Sequence, residues 1–172
     1  GNFAFAIAAR GLGLRDFGPA ISPFNAFLIL TGLETLPLRM QRHSDNAKNV
    51  AEYLSKHPKV AWVSYAGLPG DKNHTLQQRY SPLGGGALFT FGLKGGYDAG
   101  VKFVEGLELF SHLANIGDTK SLVIHPASTT HRQLSDEQKI AAGAGPEVVR
   151  LSIGIEDVAD IIADLEQALA KI

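Results

Sequence analysis

The chain has 172 residues, 45% hydrophobic and 19% charged, so it is ordinary globular material able to bury roughly 70% of the surface that its unfolded form exposes. Sixteen basic and seventeen acidic side chains give a formal net charge of −1, which provides no broad positive field for nucleic acid or an anionic membrane. There is no cysteine, which excludes disulfides, thiolate nucleophiles and cysteine-ligated metals, and nothing indicates an oxidising compartment.

The N-terminal region gives no sign of a targeting or membrane segment. No apolar run reaches the length of a membrane span, and the first residues lack the basic start and apolar core of a signal peptide, so we expect a cytoplasmic protein without a membrane partner. The chain begins with Gly1 inside an apolar-rich segment, and we therefore expect it to be part of a longer protein. Residues 1–20 have no clean period and several glycines, which predicts an irregular connection.

A helical period then predicts one long helix from Ser22 to about His57. Ser22 can cap this helix, and Pro23 suits its first position. Pro37 should kink or interrupt it, because proline lacks the backbone donor that the helix interior needs. The apolar positions that define the period are Phe27, Leu28, Leu30, Leu33, Leu36, Leu38, Met40, Val50 and Leu54.

The remainder of the chain alternates between strand-like and helical patterns. The runs VAWVSYAG and GGALFTFGLKG are predicted as strands, YDAGVKFVEGLE as a helix and LFSHLANIG as extended. Ser135 and Gln138 are spaced as a capping box for a short helix that Gly143 can end. Asp157 can cap a terminal helix. The apolar face of that helix comprises Val158, Ile161, Ile162, Leu165, Leu169 and Ile172.

The stretch PEVVRLSIGIEDV reads as a strand that carries an arginine in its middle. An extended chain alternates its side chains, so Val149, Leu151, Ile153 and Ile155 share an apolar face, and Arg150 lies on the other face with Val148, Ser152 and Gly154. One interpretation is a solvated arginine on the outer side of a half-buried sheet. The other is a guanidinium held over a cleft to bind a carboxylate.

The order of elements predicts an α+β fold, with a small, mainly antiparallel sheet and helices packed on it, preceded by the long helix. No internal repeat or low-complexity tract divides the chain. We place the domain boundary inside the long helix, where RHSDNAKN becomes strongly polar, with residues 1–45 before it and 46–172 after it.

Several familiar site patterns are absent from the sequence. No Gly-Lys-Ser/Thr follows the glycine clusters, so turns explain them better than a phosphate loop does. The six histidines show no helical ligand pair with an intervening acid, so we expect no metal site. Ser121, Asp118 and either His125 or His131 could be arranged as a nucleophilic triad, but the serine lacks a strand-turn-helix elbow.

Three ordered motifs carry a resemblance over essentially the whole chain: SPFNAFLILTGLETLPLRMQRH, HLANIGDTKSLVIHPASTTHRQLS and VVRLSIGIED. Together they resemble the C-terminal part of the pyridoxal-phosphate (PLP) enzymes of cysteine and methionine metabolism, the cystathionine gamma-synthase and gamma-lyase family. Many members have a serine-leucine-glycine-glycine run where this chain has Asn115, Ile116, Gly117 and Asp118, and this form is similar to that of the sulfhydrylases of the family.

The resemblance implies a site for the α-carboxylate of an amino-acid substrate. Arg150 matches the arginine that grips this carboxylate, and a planar guanidinium with paired donors suits both of its oxygens. Asn115 and Ile116 are expected beside the same carboxylate, and Thr130 matches a threonine that lines the site. We expect His125 to be a packed, hydrogen-bonded structural residue. No catalytic, metal-binding or cofactor-binding residue is expected in this chain.

The implied reaction replaces the acetate of O-acetylhomoserine with sulfide and gives homocysteine, a step of methionine biosynthesis with PLP as electron sink. The family's cofactor lysine follows a serine-x-threonine motif, and none of the nine lysines here has that context. The resemblance therefore implies a partner, the N-terminal PLP-binding half with a type I aminotransferase-like fold, within a homotetramer. The alternatives are a cystathionine gamma-synthase, gamma-lyase or methionine gamma-lyase type of enzyme, or an assembly module without chemistry of its own.

Overall fold

A computed structural model describes residues 3–172 of the chain. The chain forms two compact units, one that ends at Pro37 and one that comprises Leu38–Ile172. The sequence-based boundary between residues 45 and 46 stays a prediction. No helix among the described residues is long and apolar enough to cross a membrane.

The first unit is helical. It contains α1 (Ala4–Ala8), a π-helical segment (Ala9–Asp16) and α2 (Pro23–Glu34). The prediction of an irregular segment over residues 1–20 is therefore wrong for most of that range, and Gly1 and Asn2 lie outside the described residues. Alternating small and apolar residues sustain helical turns there, although the two glycines of the π-helical segment weaken the helical period in the sequence.

Helix α2 begins as the sequence predicts. The Ser22 hydroxyl accepts a hydrogen bond from the amide of Asn25 at 3.1 Å, and Pro23 occupies the first helical position. The apolar side chains of α2 point in all directions and are exposed, so this helix has no apolar stripe of its own. A helix that is hydrophobic on all sides is typical of a buried position.

The predicted long helix is two helices. α2 is capped at Thr35, and α3 (Leu36–Ser55) starts at the next residue, with Pro37 in its first turn, where the missing amide costs no hydrogen bond. The predicted interruption near Pro37 is thus confirmed. Of the apolar positions that define the period of the predicted long helix, Val50 and Leu54 are fully buried.

The second unit is the α+β layer that the sequence predicts. After α3 its helices are α4 (His74–Tyr80), α5 (Gly96–Gly106), a 3-10 turn (Pro126–Ser128), α6 (Asp136–Ala141) and α7 (Val158–Ala170). Its strands are β1 (Val60–Ser64), β2 (Leu88–Leu93), β3 (Ser111–His112), β4 (Leu122–Ile124) and β5 (Val148–Ser152).

The five strands form one sheet in the order β1-β2-β5-β4-β3. The pairs β1/β2, β2/β5 and β4/β5 are antiparallel, and β3/β4 is parallel, which confirms a mainly antiparallel sheet. Strand β5 lies at the centre and is paired on both sides. Its position fixes the register of the residues that flank Arg150.

One face of the sheet carries the core. Val149, Leu151 and Ile153 are fully buried, as the alternation predicts, and they pack with apolar residues of α3, α5 and α7. Phe91 of β2 meets Phe103 of α5 edge to face, with ring centroids 5.7 Å apart. The predicted apolar face of α7 is confirmed too, since all six of its residues belong to the core or pack against it.

The capping predictions are confirmed, and two elements are new. Ser135 and Gln138 form the complete capping box, and Asp157 accepts from the amide of Ala159 at 2.8 Å. Helix α4 and strand β4 are absent from the sequence prediction, because α4 is short and polar and β4 has only three residues. The predicted extended run LFSHLANIG contributes only the two residues of β3 to the sheet.

A buried carboxylate in α7 holds the segment that leaves α5. Asp164 is 7% exposed, and its oxygens accept from the amides of Glu108 and Leu109, both at 2.9 Å, and of Phe110 at 3.3 Å. Three backbone donors that would otherwise lack partners are satisfied by one side chain. The sequence gives no signal for this role, since Asp164 sits on a helix among apolar neighbours.

We expect Asp164→Ala to lower the free energy of unfolding by about 3 kcal/mol, because it leaves one buried and two partly buried amides without their acceptor. Chemical denaturation of the full-length protein measures this change. Asp160→Ala is the matched control, since Asp160 is an exposed carboxylate of the same helix, and it should cost less than about 1 kcal/mol. Equal costs for the two variants would contradict this role of Asp164.

Candidate functional site

Arg150 lies in the middle of the central strand, on the face opposite the core. Its cross-strand neighbours are Thr90 of β2 and Ile124 of β4. Paired residues of adjacent strands project from the same face, so the arginine stands between these two side chains. It is half-buried, whereas Val148 and Ser152, two residues before and after it on the same face, are buried.

The guanidinium of Arg150 makes one hydrogen bond within the described residues. Its Nη2 donates to the backbone carbonyl of Asn115 at 2.9 Å. No carboxylate of the described chain forms an ion pair with it. An arginine carries five N–H donors, so most of its hydrogen-bonding capacity is not used by the part of the chain that the structure describes.

The loop that contains Asn115 is a series of local turns. The side-chain oxygen of Asn115 accepts from the amide of Ile116 at 2.9 Å, and that of Asp118 accepts from the amide of Lys120 at 3.1 Å. Gly117 lies between them with φ +77°, a conformation that favours glycine. The side chain of Ile116 is 63% exposed. The structure thus brings Asn115 to Arg150 and leaves Ile116 beside it on the surface.

Thr130 occupies a different loop, after the 3-10 turn. Its hydroxyl pairs with Nδ1 of His131 at 2.8 Å, and no hydrogen bond of the described residues joins it to Arg150 or Asn115. The 3-10 turn itself contacts β5, the strand of Arg150. The predicted role of Thr130 at the substrate stays a prediction.

His125 is fully buried and both of its ring nitrogens have partners. Nε2 lies 2.8 Å from the carbonyl of Pro146, which can only accept, so Nε2 carries the proton, and Nδ1 accepts from the Ser128 hydroxyl at 2.9 Å. The ring packs over Gly100 of α5, where a Cβ atom would collide with it. This arrangement is that of a structural residue, as the sequence predicts.

Burial of His125 lowers the pKa of its ring below the ordinary value. The hydrogen bond to the Pro146 carbonyl acts in the opposite direction, and the neighbouring His112 lowers the pKa further. His125 is therefore held neutral, which suits a packing role and not that of a charged ligand for a carboxylate.

Two side chains that shape this region, Glu156 and Asn46, are missing from the site residues that the sequence predicts. Ser121 is fully buried and is held by the carboxylate of Glu156, and Asn46 of α3 is bonded to the backbone around Glu156. A glutamate directly before the capping Asp157 looks in sequence like first-turn charge on a helix. Only the fold shows that it turns back to the start of β4.

PLP is joined to its enzymes through a Schiff base with a lysine side chain. None of the nine lysines, all of which lie within residues 3–172, is buried. A lysine that binds the cofactor needs a site from which water is excluded. The described residues also contain no cluster of three or more side chains that could hold a metal ion.

Comparison with known proteins decides the family. A profile described as "Cys/Met metabolism PLP-dependent enzyme" matches residues 5–170, nearly the full chain. The chain belongs to this family. The three motifs of the sequence therefore indicated the correct family.

Individual members of the Cys/Met metabolism family resemble the chain closely. It is 59% identical over 172 residues to an O-acetyl-L-homoserine sulfhydrylase of Leptospira meyeri and 54% identical over 169 residues to a homocysteine synthase of Schizosaccharomyces pombe. The alignments cover 99% and 98% of this chain, and 39% of each relative. The chain thus spans about two fifths of the length of the relatives it matches.

A solved member of the family has the same fold. The crystal structure of a putative O-acetylhomoserine (thiol)-lyase from Campylobacter jejuni superposes with a TM-score of 0.88 at 43% identity, and the match covers 97% of this chain and 40% of that one. That protein contains N′-pyridoxyl-lysine-5′-monophosphate, a lysine joined to the cofactor. The α+β fold of this chain is therefore that of part of a PLP-dependent enzyme.

We expect the role of His125 to appear as a pH dependence of stability. Its folded-state pKa is lowered, so its contribution is fully present above the unfolded-state pKa of about 6.5 and is lost as the pH falls from there through the folded-state value. His125→Gln should be less stable than the wild type at pH 8 by about 2 kcal/mol, because the Pro146 carbonyl and the Ser128 hydroxyl lose their hydrogen bonds to the imidazole.

The difference between the two proteins should shrink as the pH falls from 8 to 5.5, with a slope of at most about 1.4 kcal/mol per pH unit for one proton. Denaturant unfolding of the full-length protein at a series of pH values measures it. A difference that stays constant over this range would show that His125 does not titrate differently in the folded and unfolded states.

Proposed function

We propose that the full-length protein is an O-acetylhomoserine sulfhydrylase that replaces the acetate of O-acetylhomoserine with sulfide and releases homocysteine. The names of the relatives support this assignment, with 59% identity to a sulfhydrylase and 54% to a homocysteine synthase. A product assay on the full-length protein, supplied with PLP, O-acetylhomoserine and sulfide, tests it. Absence of homocysteine, with cystathionine formed when cysteine is the acceptor, would assign the protein to another branch of the family.

The observation that carries the proposal is the guanidinium of Arg150. It stands half-buried on a central strand, it is oriented by one backbone carbonyl and it forms no ion pair with the described carboxylates. Burying part of a charge is costly unless something pairs with it. An α-carboxylate is a matched partner, because its two oxygens can accept paired N–H donors of one guanidinium.

The neighbouring residues have roles that follow from their placement. Asn115 orients the guanidinium through its carbonyl, and the exposed side chain of Ile116 extends the surface beside it. We assign Thr130 to the lining of the same site, through the family's threonine at this position. These residues bind and orient the amino acid. None of them transfers a proton or forms a covalent bond in this proposal.

The cofactor is assigned to the other part of the protein. PLP supplies the electron sink for this class of reaction. With every lysine of this chain outside the buried interior, its anchor is proposed to lie in an N-terminal PLP-binding half of the same enzyme, with residues 1–45 as the end of that half and residues 46–172 as the carboxylate-binding domain. We further propose a cytoplasmic homotetramer, in which the exposed apolar side chains of α2 are covered.

Arg150→Lys in the full-length enzyme should lower kcat/KM by about 30- to 1,000-fold. Lysine keeps the charge and loses the paired donors, which corresponds to about 2–4 kcal/mol of transition-state binding. The loss should be the same for every amino-acid substrate, since all share the α-carboxylate. Steady-state kinetics measure it, together with the PLP content, which should not change.

The matched control for this variant is Arg132→Lys, because Arg132 is exposed and its side chain makes no hydrogen bond in the described structure. It should keep the wild-type kinetics. If Arg150→Lys also kept them, and unfolded with less than about 0.5 kcal/mol difference in stability, Arg150 would be an ordinary solvated arginine.

The 172-residue chain on its own should not bind PLP at one defined lysine. Because no lysine is buried, any adducts should be weak and spread over surface amines. Borohydride reduction followed by peptide mapping measures their distribution. A single, stoichiometric label, for example at Lys120, would contradict the assignment of the cofactor to the other part of the protein.

A further inference from the structure

The carboxylate of Glu156 closes a small ring of hydrogen bonds between the end of β5 and the start of β4. Its Oε1 accepts from the backbone amide of Ser121 at 2.6 Å, and its Oε2 accepts from the hydroxyl of Ser121 at 3.0 Å. The same hydroxyl accepts from the amide of Gly154 at 2.9 Å. The amide and the hydroxyl of Ser121 are thus both hydrogen-bonded, as expected for polar groups of a fully buried residue.

The backbone that carries Glu156 is fixed by helix α3. Asn46, 1% exposed, donates to the carbonyls of Gly154 at 3.1 Å and Glu156 at 2.9 Å, and Arg42 donates to the carbonyl of Glu156 at 3.0 Å. A Cβ atom on Gly154 would collide with the Glu156 carboxylate and with the backbone near Ser121. These contacts hold the turn, and in this arrangement the carboxylate meets the amide and hydroxyl of Ser121.

The ring leads directly to the loop that orients Arg150. The carbonyl of Thr119 accepts from the amide of Ile155 at 2.9 Å, so the loop is tied to the turn at Thr119 and at Ser121. Between these ties and Asn115 the loop consists of the local turns described above. At its other end the Asn115 carbonyl accepts from Arg150. The two ends of this path are hydrogen bonds with a defined donor and acceptor, and the backbone of residues 115–119 connects them.

We propose that Glu156 is a positioning residue for the substrate carboxylate: by holding Ser121 it sets the place of the loop whose Asn115 carbonyl orients the Arg150 guanidinium. This inference rests on the proposed function. Glu156 touches neither the carboxylate nor the reacting atoms. Its effect is to keep the guanidinium in the orientation that meets both carboxylate oxygens.

Charge and length both matter for this role. Glutamine keeps the shape of Glu156 but presents an N–H group to the Ser121 hydroxyl, which then loses its acceptor. Aspartate keeps the charge and is one methylene too short to reach both atoms of Ser121. Misplacement of a binding group by about 1 Å can cost on the order of 100-fold. We therefore expect both substitutions to weaken carboxylate binding by about 10- to 100-fold.

The experiment compares two ligands of the PLP-loaded, full-length enzyme by isothermal titration calorimetry. One is a non-reactive amino acid, and the other is the corresponding amine without the carboxylate. Glu156→Gln and Glu156→Asp should weaken binding of the amino acid and leave the amine within about 2-fold. KM for O-acetylhomoserine should rise more than kcat falls, and the PLP content should equal that of the wild type.

Ser121→Ala gives an independent measurement, and it decides the matter if the Glu156 variants do not fold. It removes the hydroxyl and keeps the hydrogen bond from the Ser121 backbone amide to Glu156. It should therefore weaken binding of the amino acid, and not of the amine, by about 3- to 10-fold. The double variant with Glu156→Gln should be no weaker than Glu156→Gln alone, because both act along one path. Glu105→Gln, at an exposed glutamate of α5, controls for the change in charge and should behave as wild type.

If the Glu156 variants bound both ligands equally more weakly, or bound both as the wild type does, the proposal would be overturned. Glu156 would then have only a structural role. Arg150→Met in the same titration separates this result from a failure of the proposed function. If Arg150→Met weakens binding of the amino acid more than binding of the amine, and the Glu156 variants do not, only the positioning role is wrong. If Arg150→Met is not selective either, the carboxylate site itself is wrong.

Discussion

Strand β5 is paired with β2 on one side and with β4 on the other, and this central position constrains the rest of the second unit. Both edges of its backbone are bonded, so the strand cannot slip by one residue without exchanging its two faces. Val149, Leu151 and Ile153 are thereby committed to the core under α3, α5 and α7. Arg150 is committed to the opposite face.

Buried polar side chains then attach the loops to this framework. Asp164 binds the amides that follow α5, His125 binds the carbonyl before β5, and Asn46 binds the carbonyls after it. Asp164 and Asn46 lie on helices, and His125 lies directly after β4. Each satisfies backbone groups of an irregular segment, where no ladder of hydrogen bonds is available. These contacts give loops near Arg150 defined positions without a large core of their own.

The two units of the chain differ in how completely they bury their own apolar side chains. The second unit has a closed core, and the polar groups that join its elements are mostly paired. The first unit exposes large apolar side chains on α2 in every direction. The chain spans about two fifths of the length of its relatives, and one solved relative carries a lysine joined to the cofactor.

The sequence by itself determined the elements whose signals are local. The caps at Ser22, Ser135 and Asp157 depend on residues three or fewer positions apart, and the faces of β5 and α7 follow from their periods. The three ordered motifs indicated the family and drew attention to Arg150 and Asn115.

Only the tertiary structure decided the rest, because it depends on contacts between distant positions. The three-residue strand β4 and the short helix α4 have weak local signals and are set by packing. Glu156 and Ser121 are 35 positions apart, and Asn46 is 110 positions from Glu156. A single sequence carries no record of such pairings, since a buried hydrogen bond leaves no period and no spacing between its partners.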